Sequence, residues 1–398
     1  MSAASTALRG RQILCLATQE WDANWTPVQQ VMSRLAPENE VLYVEPFHAL
    51  PSRLMRGNAV FQRQIREGVP ALREVQPNLR VYRPRYPYAP WNMKSRAAHA
   101  LNGMLYPAEI ASLLRRTGFR RPILWAFFAQ NLRVLDLGFS AFIYDCVDDW
   151  PSFFSHPVER AFITRIDAEL TRRAQIVFVG SGPLLEKKRS QNSRVFVVNH
   201  AADIPHFAKA ADPATVVPDD LARIPRPRVG FVGMIDELRF DGELIALLAE
   251  NPEYQIVIVG GFQGNARKVV PNRPNIHVLG MRKVAELPSY LAGMDVCMMP
   301  YRRNETTRYI FPLKLFEYLA TGKPTVSMAI PAVENLRHLV RVADSHEEFL
   351  AHVRAALTCD DPADVQRRME FSRRHGWEQH VEKKLALIAG HLPLERLQ

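Results

Sequence analysis

The sequence contains little cysteine and lacks long hydrophobic runs. Only four of its 398 residues are cysteines, and no two stand at the Cys-x-x-Cys spacing of zinc sites and redox pairs. Neither a disulfide framework nor a metal site is therefore expected. No apolar run approaches the roughly 20 residues of a transmembrane helix, and the apolar stretch at 13–17 is too short for the core of a signal peptide. These absences predict a soluble, cytoplasmic protein.

Acidic residues are scarce in one part of the chain. Between Leu50 and Arg133 there are fifteen Lys or Arg residues and only three acids, against a net charge of +10 for the whole chain. Aromatic residues lie among these basic ones: Phe61, Tyr82, Tyr86, Tyr88, Trp91 and Tyr106. Such a mixture suits an anionic membrane surface, a lipid diphosphate or nucleic acid, although a solvated face of arginine-rich helices also accounts for it. We expect a membrane surface rather than nucleic acid.

Short apolar runs alternate with helical patterns in two series, which predicts the α/β class. The sequence favours two Rossmann-like domains that face one another across a cleft, where the carboxyl ends of both sheets would bind ligands. Strands are predicted at 12–17, 40–45, 123–127, 141–144, 176–179 and 195–198, and then at 229–233, 255–260, 275–280, 295–300 and 324–329. The predicted organisation is a first domain at 1–205, a linker at 206–228, a second domain at 229–376, and a C-terminal helix at 377–398 that could return to the first domain.

The strongest motif is the segment 306–324. Pro312 suits the first position of a helix, and Gly322 suits the left-handed position just past its end. This predicts a three-turn helix whose free N-terminal amides form an anion site, with Thr307 and Arg308 just ahead of it. Lys314 and Glu317 would share one face of that helix.

A cation and a carboxylate one turn apart fit a nucleotide-diphosphate sugar. Lys314 would neutralise the departing diphosphate, and Glu317 would accept hydrogen bonds from a ribose diol. An ordinary surface salt bridge between these two residues is the alternative.

Four segments resemble the group 1 (family 4-like) glycosyltransferases, in particular their bacterial exopolysaccharide and teichuronic-acid branch. They are YDCVDD at 144–149, VGFVGMID at 229–236, LGMR at 279–282 and the stretch 307–318. The resemblance implies the GT-B fold and a nucleotide-sugar donor, UDP-linked by expectation, with no cofactor. It implies that Lys314 and Arg308 contact diphosphate, that Glu317 binds ribose, and that Gly233 lets the backbone approach phosphate; Arg282 and Thr307 complete the predicted donor set. Tyr309 stands where the wider family has its first glutamate.

A second cluster follows the predicted strand at 141–144. Asp145, Asp148 and Asp149 would open at the carboxyl end of that strand, and an acceptor hydroxyl needs a base there. We predict Asp148 as the catalytic base and Asp149 as an acceptor contact, while helix capping or metal binding remains an alternative for these acids. Trp21 and Trp25, in the loop after the first strand, are predicted to stack on the acceptor, unless they are packing anchors.

Together these features predict a metal-independent glycosyltransferase. It would move a sugar from a nucleotide-diphosphate sugar to a hydroxyl of a lipid-linked or polysaccharide acceptor, in cell-surface polysaccharide synthesis. We expect the lipid-linked saccharide and an anionic membrane surface as partners, which would place the protein in the cytoplasm or on the inner face of the membrane. The alternatives are a nucleotide-sugar epimerase of the same fold and a catalytically silent sugar-nucleotide-binding scaffold.

Overall fold

The chain folds into two compact units in a computed structural model, which describes residues 8–48, 59–86, 88–90, 92–358 and 361–392. The first unit comprises residues 1–199 and 380–398, and the second comprises residues 200–379. Each unit has its own sheet and its own hydrophobic core. Two parallel-sheet α/β domains are thus present, as the sequence predicts.

The first unit is built on an eight-stranded sheet of order β3-β4-β2-β1-β5-β6-β7-β8, parallel except for the antiparallel pair β3 and β4. Its strands are β1 Gln12–Leu16, β2 Glu40–Val44, β3 Leu72–Gln76, β4 Leu79–Tyr82, β5 Ile123–Ala126, β6 Ala141–Cys146, β7 Ile176–Val179 and β8 Val195–Val197. Its helices up to residue 199 are α1 Pro27–Leu35, α2 Ala59–Arg66, α3 Arg96–Thr117, α4 Pro157–Arg173 and α5 Gly182–Lys188, with 3-10 turns at Ala36–Glu38, Leu132–Asp136 and Trp150–Phe153.

The second unit is built on a six-stranded parallel sheet of order β11-β10-β9-β12-β13-β14, which is the Rossmann order. Its strands are β9 Arg228–Val232, β10 Gln255–Val259, β11 Ile276–Gly280, β12 Val296–Met299, β13 Thr325–Met328 and β14 Arg341–Ala343. Its helices are α6 Ile204–Ala208, α7 Asp219–Ala222, α8 Gly242–Leu248, α9 Leu287–Ala292, α10 Glu305–Tyr309, α11 Leu313–Ala320, α12 Pro331–Glu334, α13 His346–Thr358 and α14 Pro362–Arg373, with 3-10 turns at Lys209–Ala211, Ala266–Val269 and Val284–Glu286.

The segment 206–228, predicted as a linker, packs within the second unit instead. Phe207, Leu221 and Ile224 are buried in its core. The Arg228 guanidinium donates hydrogen bonds to the carbonyl oxygens of Ile224 and Ala222, which ties the segment to the start of β9. The apolar residues here are too widely spaced for a helix pattern, yet Phe207, Leu221 and Ile224 all reach the core.

The last described helix, α15 Trp377–His391, contributes to the first unit from His380 onward. Val381, Leu385 and Ile388 recur at helical spacing and join the hydrophobic core of the first unit.

Sequence patterns missed the strands β3, β4 and β14, of which β3 and β14 lie at the edges of their sheets. Each contains an arginine and lacks a continuous run of four apolar residues. No helix among the described residues is both long and apolar enough to cross a membrane. Cys15, Cys146 and Cys297 are buried free thiols, and Cys359 lies outside the described residues.

Candidate active site

Two glycines form the carboxyl edge of the second sheet where β9 and β10 end. Gly233 has φ +144°, and its N–H donates to the Val259 carbonyl oxygen at 2.9 Å. Gly260 has φ +156°, and a Cβ atom there would lie 1.9 Å from the Gly233 carbonyl oxygen. Only glycine allows this backbone conformation and this close approach. Bare backbone therefore lines the edge at the point where β9 and β12 diverge, which is the usual ligand position of such sheets.

Lys314 brings a cation to this glycine turn. Its Nζ atom donates to the Tyr301 hydroxyl at 3.0 Å and lies 5.0 Å from the centre of the Phe231 ring. A Cβ atom on Gly233 would stand 3.3 Å from the same Nζ. Helix α11 is fixed to β9 because the Val232 N–H donates to the Tyr318 hydroxyl at 2.8 Å. The ammonium is thus held by neutral groups beside open backbone.

Glu317 lies one turn further along α11. Its side chain is partly buried, and no hydrogen bond to its carboxylate is found among the described residues. Burial raises the pKa of Glu317 to about 7, and the Lys314 ammonium opposes that rise. The surface salt bridge considered as an alternative does not form, so both groups keep their capacity to bind a ligand.

The helix that carries this pair is shorter than predicted. It spans two turns, with Pro312 as the N-cap residue and Gly322 in the predicted left-handed conformation at φ +71°. Thr307 belongs to the separate helix α10, where its Oγ1 accepts from the Asn304 N–H and donates to the Arg302 carbonyl oxygen. Thr307 is 1% exposed. The donor contact predicted for Thr307 does not fit this geometry, because its hydroxyl is already used to close a turn.

Arg308 is exposed on the same short helix. Its guanidinium carbon lies 5.8 Å from the centre of the Tyr309 ring. It lines a cavity of about 820 Å³ together with Ile330 and Glu334. No contact between Arg308 and Lys314 is found in the described part of the chain, so the predicted pair of diphosphate contacts is not brought together directly.

Arg282 has a partner of its own. Its guanidinium forms an ion pair with Asp220 at 2.6 Å and a hydrogen bond with the Tyr290 hydroxyl. Although desolvation opposes the change, hydrogen bonds from Arg282 and Tyr290 lower the pKa of Asp220. The charge of Arg282 is therefore already compensated, which does not favour its predicted role in donor binding.

In the first unit, two of the three clustered aspartates form internal ion pairs. Asp145 accepts hydrogen bonds from Trp125 Nε1 at 3.1 Å and from the buried Lys384 ammonium. Asp149 is 1% exposed, and its two carboxylate oxygens lie 2.7 and 2.9 Å from Lys187 Nζ. Burial raises the pKa of Asp149, and the Lys187 ammonium opposes that rise. The acceptor contact predicted for Asp149 does not fit a carboxylate that is buried and paired.

Asp148 is the most exposed of these three aspartates, since it is half-buried whereas its two neighbours are buried. Its carbonyl oxygen accepts from the Trp150 N–H at 3.0 Å. The capping alternative does not hold for Asp149, whose side chain makes no cap hydrogen bond to the 3-10 turn that follows. No group of three potential metal-ligating side chains occurs among the described residues.

The two tryptophans differ in environment. Trp21 is 7% exposed and packs edge-on against Tyr43, with ring centres 5.2 Å apart. Trp25 is 43% exposed, and its ring centre lies 5.2 Å from that of Trp21. Trp21 is thus a packing anchor rather than the predicted acceptor platform, whereas Trp25 is accessible to a ligand.

Sequence patterns did not single out Tyr301 and Phe231, which contact the Lys314 ammonium. They also did not single out Gly260, which packs against Gly233. The signal for Gly260 was present, because two consecutive glycines after an apolar strand are typical of close backbone approach. Tyr301 and Phe231 carried no such signal, since aromatic residues after or within strands usually pack in cores.

Three comparisons with known proteins bear on this geometry. Residues 226–359, which lie in the second unit, match the family "Glycosyl transferases group 1". A putative teichuronic acid biosynthesis glycosyltransferase, TuaH of Bacillus subtilis (strain 168), is 26% identical over 211 residues. That match covers 49% of this chain and 52% of the relative, so the chain spans about half the length of the curated relative.

Solved structures match over nearly the whole chain. Sucrose-phosphate synthase from Thermosynechococcus elongatus has a TM-score of 0.68 at 14% identity, with 94% of this chain and 97% of that chain covered. Anabaena HepE in complex with UDP-glucose has a TM-score of 0.63 at 13% identity, with 96% and 100% covered. At such identities these structures show the fold alone, which is GT-B. The family match confirms the resemblance to the group 1 glycosyltransferases over residues 226–359, and the solved structures confirm the GT-B fold.

Proposed function

We propose that this protein transfers a glycosyl residue from a nucleotide-diphosphate sugar to a hydroxyl of a lipid-linked or polysaccharide acceptor in cell-surface polysaccharide synthesis. The observation that carries the proposal is the position of Lys314, whose ammonium is held by Tyr301 and Phe231 against the bare backbone of Gly233. The names of the matched family and of the curated relative support transfer rather than epimerisation or silent binding.

In the proposed donor site, the diphosphate lies against the glycine turn and Lys314. Backbone amides and a fixed cation stabilise the charge that develops on the leaving group, and they do so without reorganisation. Glu317 accepts hydrogen bonds from the ribose hydroxyls, and ribose would supply the partners that its carboxylate does not find among the described residues. A uridine nucleotide is the proposed donor, because the HepE structures hold UDP or UDP-glucose.

Binding of nucleotides tests this donor site. We expect UDP to raise the melting temperature of the protein, because a ligand that binds only the folded state stabilises it. Glu317→Ala should weaken UDP binding by about tenfold, the value of one or two lost charge-assisted hydrogen bonds. Glu250→Ala, at an exposed position on the same unit, is the matched control. An unchanged dissociation constant in Glu317→Ala would reject the ribose contact.

In the proposed acceptor site, Asp148 removes the proton from the acceptor hydroxyl as its oxygen attacks the anomeric carbon. Asp148→Asn should lower transfer by about 10²-fold or more while leaving UDP binding unchanged, because a base acts only on the chemical step. Undiminished transfer by Asp148→Asn, with UDP binding intact, would remove Asp148 as the base.

We propose that transfer needs no metal, because Lys314 supplies positive charge at the leaving group. Transfer should then persist after dialysis against EDTA. Loss of activity that Mg²⁺ or Mn²⁺ restores would contradict this part of the proposal.

We also propose that the first unit contacts an anionic membrane surface. Leu101 and Met104 are three residues apart on α3 and both exposed, and Arg63 and Arg66 are exposed on α2. Exposed apolar and basic side chains together suit an interface with anionic lipid. The double variant Leu101→Ser, Met104→Ser should sediment less with phosphatidylglycerol vesicles, whereas Val216→Ser, at an exposed apolar position of the second unit, should not. Equal sedimentation of the wild type and both variants would contradict the proposed membrane contact.

A further inference from the structure

The first unit contains an apolar cavity of about 510 Å³ that the proposed function does not yet use. It lies where β1 and β5 end and the strand order reverses, because Ala17, Thr18, Phe128 and Gln130 line it. Its walls carry five aromatic rings, those of Phe47, Phe128, Trp150, Phe154 and Phe162. Small-molecule sites have this volume and this kind of lining. In parallel sheets, ligands bind at the carboxyl ends of the strands where the strand order reverses. This aromatic cavity is therefore large enough for a compact organic molecule.

The walls of the aromatic cavity are held in place by hydrogen bonds within the protein. Gln130 accepts from the Phe47 N–H at 2.7 Å and donates to the Phe47 carbonyl oxygen at 3.0 Å. Asn92 donates to the Gln130 carbonyl oxygen at 3.2 Å. The Phe128 and Trp150 rings contact one another with centres 5.5 Å apart. The polar side chains Gln130 and Asn92 are thus engaged with the protein, and the shape of the cavity is already formed.

Trp150 leaves one donor unmet. Its Nε1 atom is shielded from solvent and has no hydrogen-bond partner among the described residues. The indole N–H can only donate, and a buried donor without an acceptor costs roughly 1–3 kcal/mol. The backbone N–H of Trp150 donates to the Asp148 carbonyl oxygen, so this lining residue of the aromatic cavity stands two residues from the proposed base.

The charges around the aromatic cavity cancel. Lys94 and Glu159 both line it and form an ion pair at 3.2 Å. A phosphate or carboxylate on the ligand would therefore meet no uncompensated cation there. This favours a neutral ligand.

We infer that the aromatic cavity binds the apolar body of a neutral alcohol, whose hydroxyl group is the glycosyl acceptor. This inference rests on the proposed transfer reaction and adds a neutral alcohol to the acceptors proposed above. The hydroxyl oxygen forms the new bond to the anomeric carbon. The bond from that carbon to the nucleoside diphosphate breaks, the diphosphate leaves with the electron pair, and the hydroxyl proton passes to Asp148. An aromatic alcohol and a short prenyl alcohol both have this chemistry.

Calorimetric binding of four probes to the full chain tests the inference. The neutral probes are 4-butylphenol and geraniol, and their charged counterparts are 4-butylbenzoate and geranyl phosphate. We expect a neutral probe to bind at least about tenfold more tightly than its charged counterpart, because nothing in the aromatic cavity compensates an anion. The neutral probe that binds more tightly identifies the aromatic or the prenyl class. Equal binding of neutral and charged probes, or no binding, would overturn the inference.

Variants locate the binding. Phe154→Ala should weaken binding of the preferred alcohol about tenfold through lost ring contact. Phe153→Ala is the matched control, because Phe153 neighbours the Trp150 ring without lining the aromatic cavity. Phe162→Leu provides a second lining variant should Phe154→Ala melt at a much lower temperature. Equal affinity in the lining variants and the control would overturn the inference.

The final measurement separates the inference from the proposed function. With UDP-sugar present, the preferred alcohol should be glycosylated, and Phe154→Ala should raise its KM with little change in kcat. Binding of the alcohol without glycosylation, while slow release of UDP from the donor continues, would overturn the acceptor role and leave the proposed function standing. Failure of UDP to bind at all would instead reject the proposed function.

Discussion

The two units place charged residues at the same edge of their sheets but treat them differently. In the first unit, Asp145 and Asp149 are buried and paired with Lys384 and Lys187. In the second, the Lys314 ammonium is held by a hydroxyl and two rings. The Glu317 carboxylate accepts no hydrogen bond among the described residues. Paired charges fix a structure, whereas charges held by neutral groups keep their field for a ligand. The aspartate cluster at 145–149 therefore offers a ligand less uncompensated charge than Lys314 and Glu317 do.

Breaking the buried pair in the first unit should have the largest effect. Lys384→Met leaves Asp145 buried with no cation, which should lower the free energy of unfolding by about 3–5 kcal/mol. Urea denaturation measures this loss, and the exposed neighbour Lys383→Met is the control. A loss below 1 kcal/mol would mean that this pair is not the fixed element described above.

The second unit should respond in the opposite sense at Glu317. Its pKa is about 7 when folded, against an ordinary 4.5. Between these two pH values the unfolded chain releases the proton that the folded chain keeps, so stability falls as pH rises from about 4.5 to 7. Glu317→Gln removes this cost and should gain about 1–3 kcal/mol at pH 8 and almost nothing at pH 4.

The same variant should also weaken UDP binding at pH 8, because the ionised carboxylate is the proposed acceptor for ribose. Denaturation at both pH values, with Glu250→Gln as the exposed control, measures the stability change. A variant less stable than the wild type at pH 8 would show that Glu317 has a structural partner.

The smallest effect is expected at Asp149, and it sharpens the comparison within the first unit. Asp149→Asn frees Lys187, whose side chain is 34% exposed and can return to water. The free energy of unfolding should therefore fall by about 1 kcal/mol. Lys187→Met leaves a buried carboxylate instead and should cost more than Asp149→Asn. Equal losses in thermal denaturation would contradict this asymmetry.

Local patterns predicted most of the central strands and the helix that carries Lys314 and Glu317. The strands β9, β10, β12 and β13 are short apolar runs, and such runs are buried on both faces of a parallel sheet. The sequence could place Lys314 and Glu317 on one face of a helix, because residues three apart share a helix face. The polar edge strand β3 and the packed segment 206–228 could not be predicted, since each depends on neighbours distant in the chain.

The roles of individual charges could not be predicted in the same way. Asp149 and Lys187 are 38 residues apart, and Arg282 and Asp220 are 62 apart. The sequence offered Asp149, Arg282 and Thr307 as ligand contacts because their types suit the chemistry. Their actual partners are set by how the helices pack on the sheets, which spacing along the chain does not reveal.

The sequence by itself determined the α/β class, the division into two domains, and the helix that carries Lys314 and Glu317, because periodicity and turn residues act over a few neighbouring positions. Tertiary structure alone decided which charges are compensated, where glycine backbones meet, and that five rings from segments distant in the chain line one cavity. Those properties depend on contacts between residues tens to hundreds of positions apart, such as Asp145 and Lys384, 239 residues from one another.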